Sequence, residues 1–379
     1  MKPSLGILRF SHHFDLGRHR SGLKLQTRKS KLPCGFATLG IVIGLLAAAE
    51  TAAIIQDNQS ISDKQTPFAQ VTPGRDFSFP RDPNIHADFQ TEWWYVTANL
   101  LGEDGLTYGA QFTLFRNNLL VGGKPQPIFF AHAALTTPSE FFHAERFARA
   151  DMGHGGIESD PWVAFLDHWQ FKGTGKNPLP GSLSVIEKDF GYDLKLSKSP
   201  YFLQGENGFS KKNSDGSTAS YYYSAPFIKL DGQIHFDGKS VKVTGDAWFD
   251  REWSSTAIIG GALGWDWLAL HLDADTALML YTVRSAGENY LSGTIMKASG
   301  QQRRLSAIDI HWRPLEWAEF NDRKYPIVWQ LAIPSEDIEL TITPINNNQF
   351  LDATTQYWEG AVKTSGSHSV RGYLELFGY

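Results

Sequence analysis

The sequence predicts an all-β protein, built as a sandwich or as barrels, and three observations support this. Short apolar segments recur from about residue 76 to the end, bounded by Gly, Asn or Asp turns. Large aromatic residues are abundant, with 12 Trp, 13 Tyr and 25 Phe, and such side chains favour strands and apolar binding sites. No long stretch keeps a helical period, so we expect many short antiparallel strands.

The predicted strands are segments in which apolar and polar residues alternate. Successive side chains of a strand point to opposite faces, so alternation indicates a strand with one buried face. The clearest alternating segments are residues 108–116, 193–196, 233–236, 241–243, 277–283, 338–342 and 373–377. Turn-forming breakers separate them at residues 101–105 (LGEDG), 231–232 (DG), 237–238 (DG) and 273–275 (DAD).

Charge and cysteine content exclude several classes of protein. Residues 1–35 carry a net charge of +7, from eight basic side chains and one acidic one, so residues 36–379 carry −12 of the total of −5. An acidic folded part argues against a nucleic-acid partner, and a mean hydropathy of −0.29 excludes a polytopic membrane protein. The single cysteine, Cys34, precedes the folded part, where we therefore expect no disulfide and no thiolate site.

The N-terminus predicts export or membrane anchoring. Basic residues lead into an uncharged apolar run centred on residues 36–49, and residues 47–49 (AAA) offer a cleavage site. Extended past Glu50 to residue 55, the same run is long enough to anchor the chain in a membrane. Both alternatives stay open, and both place the folded part outside the cytoplasm, as a periplasmic, secreted or membrane-anchored protein held by residues 36–55.

The chain length predicts two folded domains behind this leader. A weak internal repeat supports two related β-domains, because residues 92–116 and 252–284 each run from a Glu-Trp pair through an acidic turn into a second aromatic strand. The predicted boundaries are a leader at 1–56, a polar linker at 57–75, a first β-domain at 76–240 and a second at 241–379.

The densest chemically active segment is residues 245–255 (GDAWFDREWSS), followed by residues 264–267 (GWDW). In a strand, Asp250 and Glu252 would share one face and Arg251 the other. A carboxylate among indoles loses hydration, which raises its pKa and makes it a proton donor, and indole faces stabilise a carbocation. The alternative is a structural cross-link between the arginine and the carboxylates. The predicted catalytic residues are Asp250, Glu252, Trp253 and Asp266.

Further aromatic residues predict the wall of an apolar ligand site, in residues 91–95 (TEWWY) and 220–224 (SYYYS) and beyond. Buried charges are rarely left unpaired, so Glu92 and Arg116 are predicted to form a structural ion pair, with Arg251 in the same role. The alternative is that Glu92 acts as an acid. The predicted ligand-binding residues are Trp93, Trp94, Tyr95, Tyr222, Trp265, Trp267 and Tyr281.

Metal and cofactor chemistry find little support in the sequence. His143 and Glu145 would share one side of a strand and His132 could join them, but no further ligand pattern accompanies them. There is no Gly-x-Ser-x-Gly, P-loop, Gly-x-Gly-x-x-Gly or His-Glu-x-x-His motif. We therefore predict no metal and no cofactor.

Seven motifs together resemble the AttH-like proteins related to carotenoid 1,2-hydratases, in order along residues 76–379. This resemblance implies two tandem lipocalin-like antiparallel β-barrels behind the hydrophobic leader. Members include hydratases of isoprenoid double bonds, cyclases, and exported proteins that resemble partners of lipoprotein-release ABC transporters. The motifs are residues 91–95 (TEWWY), 141–146 (FFHAER), 220–224 (SYYYS), 250–255 (DREWSS), 264–267 (GWDW), 357–360 (YWEG) and 372–376 (GYLEL).

One departure from the hydratases shapes the functional prediction. The hydratases have Asp-His-Asn-Trp at the positions that match residues 250–253 of this chain. Arg251 replaces the histidine, which resembles part of their acid site. An arginine does not release a proton at working pH. The main prediction is therefore a protein that binds a large hydrophobic lipid or isoprenoid inside a barrel and serves an ABC transporter permease. The alternative is a cofactor-free acid-catalysed hydratase or cyclase. A hydrolase, the third option, lacks a nucleophile motif.

Overall fold

The computed structural model describes residues 67–150, 152–255 and 262–379; the predictions for the leader fall outside these residues. Regular structure in the described part is almost entirely β, with single 3-10 turns at Ala307–Asp309 and Pro334–Glu336. No helix in these residues has the length and apolarity to cross a membrane. The strands are β1 (Thr91–Gly102), β2 (Thr107–Val121), β3 (Lys124–Thr136), β4 (Phe141–Arg149), β5 (Gly155–Ser159), β6 (Trp162–Leu166), β7 (Trp169–Gly173), β8 (Gly181–Ile186), β9 (Phe190–Leu196), β10 (Phe202–Leu203), β11 (Phe209–Lys211), β12 (Ala219–Phe236), β13 (Lys239–Ser254), β14 (Ala262–His271), β15 (Thr276–Ser285), β16 (Tyr290–Lys297), β17 (Gln302–Arg304), β18 (His311–Phe320), β19 (Arg323–Ile333), β20 (Ile338–Pro344), β21 (Phe350–Leu351), β22 (Tyr357–Gly366) and β23 (Arg371–Phe377).

The strands form two antiparallel sheets, each curled into a lipocalin-like barrel, which confirms the predicted fold class. The first follows the order β4-β3-β2-β1-β13-β12-β9-β8-β7-β6-β5, with β10 and β11 beside β12. The second follows β17-β16-β15-β14-β23-β22-β20-β19-β18, with β21 beside β22. The two repeated hairpins, β1–β2 and β14–β15, lie in different barrels.

The predicted alternating segments all lie within strands, and one predicted breaker does not break a strand. Asp231 and Gly232 were expected to form a turn, but β12 continues through them. A Cβ atom at Gly232 would come within 2.1 Å of the Asp193 carbonyl oxygen on β9. This glycine therefore permits close strand packing.

The boundary expected at residue 240 falls at the start of β13, which pairs with β1 and β12 of the first barrel over its whole length. The chain passes to the second sheet only between Ser255 and Ala262. The described part of the predicted linker also packs on the first barrel: Phe68 is buried and Arg75 lies over the ring of Tyr221.

The barrel interiors are filled by the chain's own side chains. In β1, Trp94, Val96, Ala98 and Leu100 point into the first core and each is at most 1% exposed. The second core is packed in the same way around Trp358. The structure thus corrects the prediction of a large apolar ligand inside an aromatic-walled barrel. Of the seven aromatic residues predicted to line that site, only Trp94 lies in a barrel core, where it packs against other side chains of the chain.

A third apolar cluster lies between the two barrels, where the outer faces of both sheets meet. Strands β1, β10, β12 and β13 contribute from the first barrel, and strands β14, β15, β16, β22 and β23 from the second. The two sheets contact each other through β1 with β23 and β2 with β22. The large buried side chains of this third cluster are Tyr95, Phe202, Tyr222, Trp248, Trp267, Met279, Tyr281, Met296 and Tyr373.

Candidate active site between the two barrels

Strand alternation sends the residues of β13 to two different places. Phe249, Arg251 and Trp253 point into the first barrel, whereas Asp250 and Glu252 point out of it, toward the second. Both carboxyl groups are nevertheless buried, because the second barrel covers that face. The junction therefore buries acidic groups that an isolated barrel would leave in water.

Asp250 is held by neutral hydrogen-bond donors. Its carboxyl group accepts bonds from Trp248 Nε1 at 2.7 Å, from the Tyr222 hydroxyl at 2.8 Å and from the Ser224 hydroxyl. Burial, reinforced by the charge of Glu252 and opposed by these bonds, raises the pKa of Asp250 to about 7. Asp250 is therefore partly protonated at neutral pH.

Glu252 has a cationic partner instead. Lys212 Nζ lies 2.7 Å from its carboxylate, and the Ser220 hydroxyl also donates to it. The ammonium lies 4.4 Å from the ring centroid of Tyr281, whose hydroxyl is 3.0 Å from Ser210 Oγ. This ion pair supplies an anionic carboxylate beside the partly protonated Asp250.

The second barrel contributes a pair of glutamates. Glu359 on β22 lies directly opposite Glu375 on β23. Burial and the charge of its partner raise the pKa of Glu359 well above its ordinary value, although the Tyr95 and Tyr357 hydroxyls bond to it. Burial, with the nearby charges of the first barrel, raises the pKa of Glu375 to about 7. Two adjacent carboxyl groups favour sharing one proton.

Within the described part of the junction, four carboxyl groups thus meet one ion-paired lysine. We call Asp250, Glu252, Glu359, Glu375 and Lys212 the acid cluster. A hydrogen bond from Trp267 Nε1 to the Tyr222 hydroxyl at 3.2 Å joins its two halves. Such a site can donate and accept protons within an apolar, water-poor environment.

One side of the acid cluster remains partly open. Glu375 keeps partial solvent exposure, and Trp265 donates to its carboxyl group from Nε1 at 3.1 Å. The side chains of Trp93, Trp265 and Tyr290 at this edge are half-buried. Glu375 is therefore the member of the acid cluster with the greatest exposure to solvent.

Two cavities elsewhere in the described residues are lined largely by polar groups. One, of about 560 Å³, lies at a mouth of the second barrel near Asp273, Lys297 and Arg303. The other, of about 330 Å³, lies between Asp246, His271 and Arg371. Neither is lined by the acid cluster, and neither has the apolar walls predicted for the ligand site.

Most of the predicted site residues come together at the junction. The predicted catalytic residues Asp250 and Glu252 belong to the acid cluster, and six of the seven predicted ligand-binding aromatics surround it. These six are Trp93, Tyr95, Tyr222, Trp265, Trp267 and Tyr281.

Trp94 and Trp253 lie elsewhere, in the core of the first barrel. Each is fully buried there, and the guanidinium of Arg251 lies 3.9 Å from the ring centroid of Trp94 and 5.0 Å from that of Trp253. Their position in the alternation points them inward, away from the acid cluster. The predictions of a ligand-binding Trp94 and a catalytic Trp253 are therefore wrong for the junction site.

Asp266 is also separate from the acid cluster. It lies on the face of β14 that carries Leu268 into the second core, 3.3 Å from Arg284 Nε, and it accepts a hydrogen bond from Tyr379 at 2.7 Å. Burial raises the pKa of Asp266 to about 6 despite the arginine. Its neighbours give it a structural role in the second barrel. The structure therefore does not bring Asp266 together with the predicted catalytic residues Asp250 and Glu252 at the junction.

The two buried arginines of the first barrel, Arg116 and Arg251, form ion pairs with Glu92. Arg116 Nη1 lies 2.8 Å from its carboxylate, and Arg251 contacts the other oxygen. His86 joins at 3.3 Å and stacks on Trp253 with ring centroids 3.9 Å apart. We call Glu92, Arg116, Arg251 and His86 the arginine cluster. It engages the Arg251 guanidinium through Nη2 and leaves Asp250 without a guanidinium partner.

His132 and Glu145 contact each other rather than forming a metal centre. His132 Nε2 lies 3.0 Å from Glu145 Oε1, and Nδ1 lies 2.7 Å from the Tyr357 hydroxyl. Among the described residues, no group of three or more His, Cys, Asp or Glu side chains is arranged to hold a metal ion. Both ring nitrogens of His132 are engaged in hydrogen bonds.

Sequence reasoning missed three of the five members of the acid cluster. Glu359 and Glu375 each sit in an alternating aromatic strand, which signals a buried face but not a partner. Lys212 lies in an irregular polar stretch with no motif at all. Their proximity depends on the pairing of β22 with β23 and on how the two barrels dock.

Comparison with known proteins places this architecture in a family. The model of the family described as AttH-like matches residues 70–379. A crystal structure of a protein described as AttH, from Nitrosomonas europaea, superposes with a TM-score of 0.74 at 34% identity, covering 82% of this chain and 99% of that one. The structure of kievitone hydratase from Nectria haematococca superposes with a TM-score of 0.60 at 15% identity, over 83% and 98% of the two chains, and shows the same fold.

A curated relative matches over a shorter region. The dehydratase asqC of Emericella nidulans is 27% identical over an alignment of 159 residues. The match covers 35% of this chain and 41% of that protein. The match therefore spans less than half of the dehydratase. The family model and the AttH structure both extend over most of the chain, and on that basis the chain belongs to the AttH-like family.

Proposed function

We propose that this protein is a cofactor-free lyase that adds water to, or removes it from, a hydrophobic substrate at the junction of the barrels. The observation that carries this proposal is the acid cluster: carboxyl groups with pKa values near 7, buried among aromatic rings and held mostly by neutral donors. The relationship to a dehydratase supports the same class of reaction. This is the acid-catalysed alternative, now preferred to ligand transport.

Glu375 is the best-placed acid. It is partly exposed, its pKa is raised to about 7, and the charges of Asp250 and Glu252 favour its protonated form. In a dehydration, its proton passes to the leaving hydroxyl group, the C–O bond breaks and water departs. An acid with a pKa close to the working pH is both protonated often enough and strong enough for this step.

Glu252 is the proposed base. Its ion pair with Lys212 keeps a negative charge across the junction from Glu375. It takes a proton from the carbon adjacent to the one that bears the departing oxygen, and the electrons of that C–H bond form the double bond between the two carbons. The reverse sequence hydrates an alkene, and the indole faces of Trp265 and Trp93 stabilise positive charge that develops on carbon.

The test uses an apolar extract of the host's membranes, incubated with the protein in water enriched in heavy oxygen. Wild type is expected to yield a product that has gained labelled water or lost one water, as detected by mass spectrometry. Glu375→Gln should slow this by about 10²–10⁴-fold, because the positioned acid is gone. Asp266→Asn is the matched control, since this buried acid lies outside the cluster, and it should keep nearly full activity.

Two results of this experiment would contradict the proposed function. If wild type binds an extracted lipid and returns it chemically unchanged, the protein is a binding module and the lyase proposal fails. Equal turnover in wild type and Glu375→Gln would reject the assigned acid.

The location of this activity is a separate proposal. We propose that residues 36–55 export or anchor the chain and so place the lyase outside the cytoplasm, where it would meet lipids and could serve an ABC transporter permease. Fractionation of host cells tests this, and recovery of the protein in the cytoplasmic fraction would reject it.

A further inference from the structure

His132 is a buried titratable group that the proposed reaction does not use. It lies on β3, where Ala131 and Ala133 point into the first barrel and His132 points out toward the second. Its ring is fully buried, yet both nitrogens are engaged, by Tyr357 at 2.7 Å and by Glu145 at 3.0 Å. A histidine bonded on both sides is suited to pass a proton through its ring.

The outer end of this chain of contacts reaches water. The Glu145 side chain is 16% exposed, and its Oε2 accepts bonds from the Thr354 backbone nitrogen at 3.1 Å and hydroxyl at 2.8 Å. Burial opposes ionisation, but the bonds from His132 and Thr354 hold the pKa of Glu145 below its ordinary value. Glu145 is therefore a carboxylate that can exchange protons with solvent.

The inner end reaches the acid cluster. The Tyr357 hydroxyl and the Glu359 carboxyl group are hydrogen-bonded to each other, and Glu359 accepts a separate bond from the Tyr95 hydroxyl. Glu359 lies directly opposite Glu375 in the sheet. A continuous sequence of hydrogen-bonding groups thus joins the partly exposed Glu145 to Glu359 through His132 and Tyr357, and Glu359 lies across the strand pair from the proposed acid.

All donors and acceptors of this series can be hydrogen-bonded when each group donates in the same direction along it. A protonated Glu359 donates to the Tyr357 oxygen, Tyr357 donates to His132 Nδ1, and the Nε2–H of His132 donates to the Glu145 carboxylate. Shifting each proton one position moves one proton from Glu359 to Glu145, and the reverse shift returns it. Each proton moves only from the donor to the acceptor of its own hydrogen bond.

The surroundings of His132 favour transfer along this path. The rings of Phe115 and Phe130 flank it, with centroids 5.5 and 5.8 Å from the imidazole. The titratable groups that face it are Glu145 and His143 from β4 and Tyr357 from β22. Burial lowers the pKa of His143, which keeps this neighbour uncharged near neutral pH.

We propose that Glu145, His132 and Tyr357 form a relay that exchanges protons between the buried carboxyl group of Glu359, which lies beside Glu375, and bulk water. This inference rests on the proposed function, in which Glu375 must recover its proton after each turnover. His132 acts through Tyr357 and Glu359, so it is a positioning and relay residue rather than a catalytic one.

The relay can be tested without a substrate. Infrared spectra after rapid mixing into D₂O report the exchange of the protonated carboxyl groups, and Glu359→Gln identifies their C=O band. His132→Gln should slow this exchange by about 10²-fold or more, the order of effect that a positioned proton carrier has on transfer. In His132→Gly, added imidazole should restore a fast rate.

The controls separate the relay from packing and from the lyase proposal. His143→Gln, a neighbouring histidine outside the relay, should exchange at the wild-type rate. If His132 variants fail to fold, Glu145→Gln at the partly exposed end gives the same test. Wild-type exchange in a folded His132→Gln or Glu145→Gln protein would overturn the relay even if turnover is found. Slow exchange in these variants would support it even if the apolar extract is returned unchanged.

Discussion

The arginine cluster and the acid cluster both contain fully buried carboxyl groups, yet Glu92 in the first is driven to the charged form and Asp250 and Glu359 in the second toward the protonated form. Both use strand β13, which supplies Arg251 to one and Asp250 with Glu252 to the other. Glu92, Asp250 and Glu359 are each at most 2% exposed. The difference in their protonation therefore does not come from burial.

The difference comes from the balance of counter-charge. Burial alone would raise the pKa of Glu92, but Arg251, His86 and Arg116 lower it to about 2. Asp250 has the same burial without an arginine, and its pKa rises to about 7. Buried acids that are fully paired build structure, whereas buried acids in excess over cations are available for proton chemistry.

Breaking the arginine cluster should produce the largest loss of stability. Glu92→Gln keeps the shape of the side chain but leaves Arg116 and Arg251 buried without their anion. We expect a loss of about 3–5 kcal/mol in the free energy of unfolding, measured by urea denaturation. Asp250→Asn is the matched control, because its donors are neutral, and it should cost far less at pH 8. A similar loss in both variants would contradict the distinction between the clusters.

The two clusters should also control opposite limbs of the dependence of stability on pH. The pKa of Asp250 rises on folding from 3.8 to about 7, so the folded state holds a proton that the unfolded state releases. Its stabilisation is complete below about pH 4 and is lost as pH rises through 7, on the order of 2–4 kcal/mol at about 1.4 kcal/mol per pH unit. Glu92, whose pKa falls from 4.5 to about 2, stabilises above pH 4.5 and loses its effect as pH falls toward 2.

Urea denaturation across pH 3–9 measures both limbs. Asp250→Asn should flatten the decline between pH 4 and 8 and leave the acid limb unchanged. A decline that keeps its wild-type slope in Asp250→Asn would show that this carboxyl group is not protonated in the folded protein.

The fold was largely predictable because its signals are local. Alternation and turns each involve only a few consecutive residues, three to nine in the alternating segments, and these segments all lie within strands. Alternation also separated Arg251 from Asp250 and Glu252 correctly, since that depends only on strand geometry. The family resemblance then supplied the number and type of barrels.

The candidate site was only partly predictable, because the residues that join Asp250 and Glu252 there are brought in by contacts between distant parts of the chain. His132 and Tyr357 are 225 positions apart in the chain, and Tyr95 and Glu359 are 264 apart. Alternation assigns a face to each residue, but which face meets the other barrel depends on docking. The same limit applies to Asp266, whose face of β14 turns into the second core. Trp253 differs, because alternation alone already places it on the Arg251 face of β13, away from Asp250.

The smallest effect is expected from Asp266→Asn, which probes a third arrangement between the two clusters. Asp266 has one cation, Arg284, and that guanidinium also bonds to the Phe377 and Gly378 carbonyl oxygens and lies 3.7 Å from the ring centroid of Tyr379. Because Arg284 keeps these partners when the carboxylate is lost, we expect a cost of about 1 kcal/mol in the free energy of unfolding. Urea denaturation beside Glu92→Gln measures the contrast. A loss as large as that of Glu92→Gln would mean that one cation binds a buried acid as firmly as two, and counter-charge would no longer explain how the clusters differ.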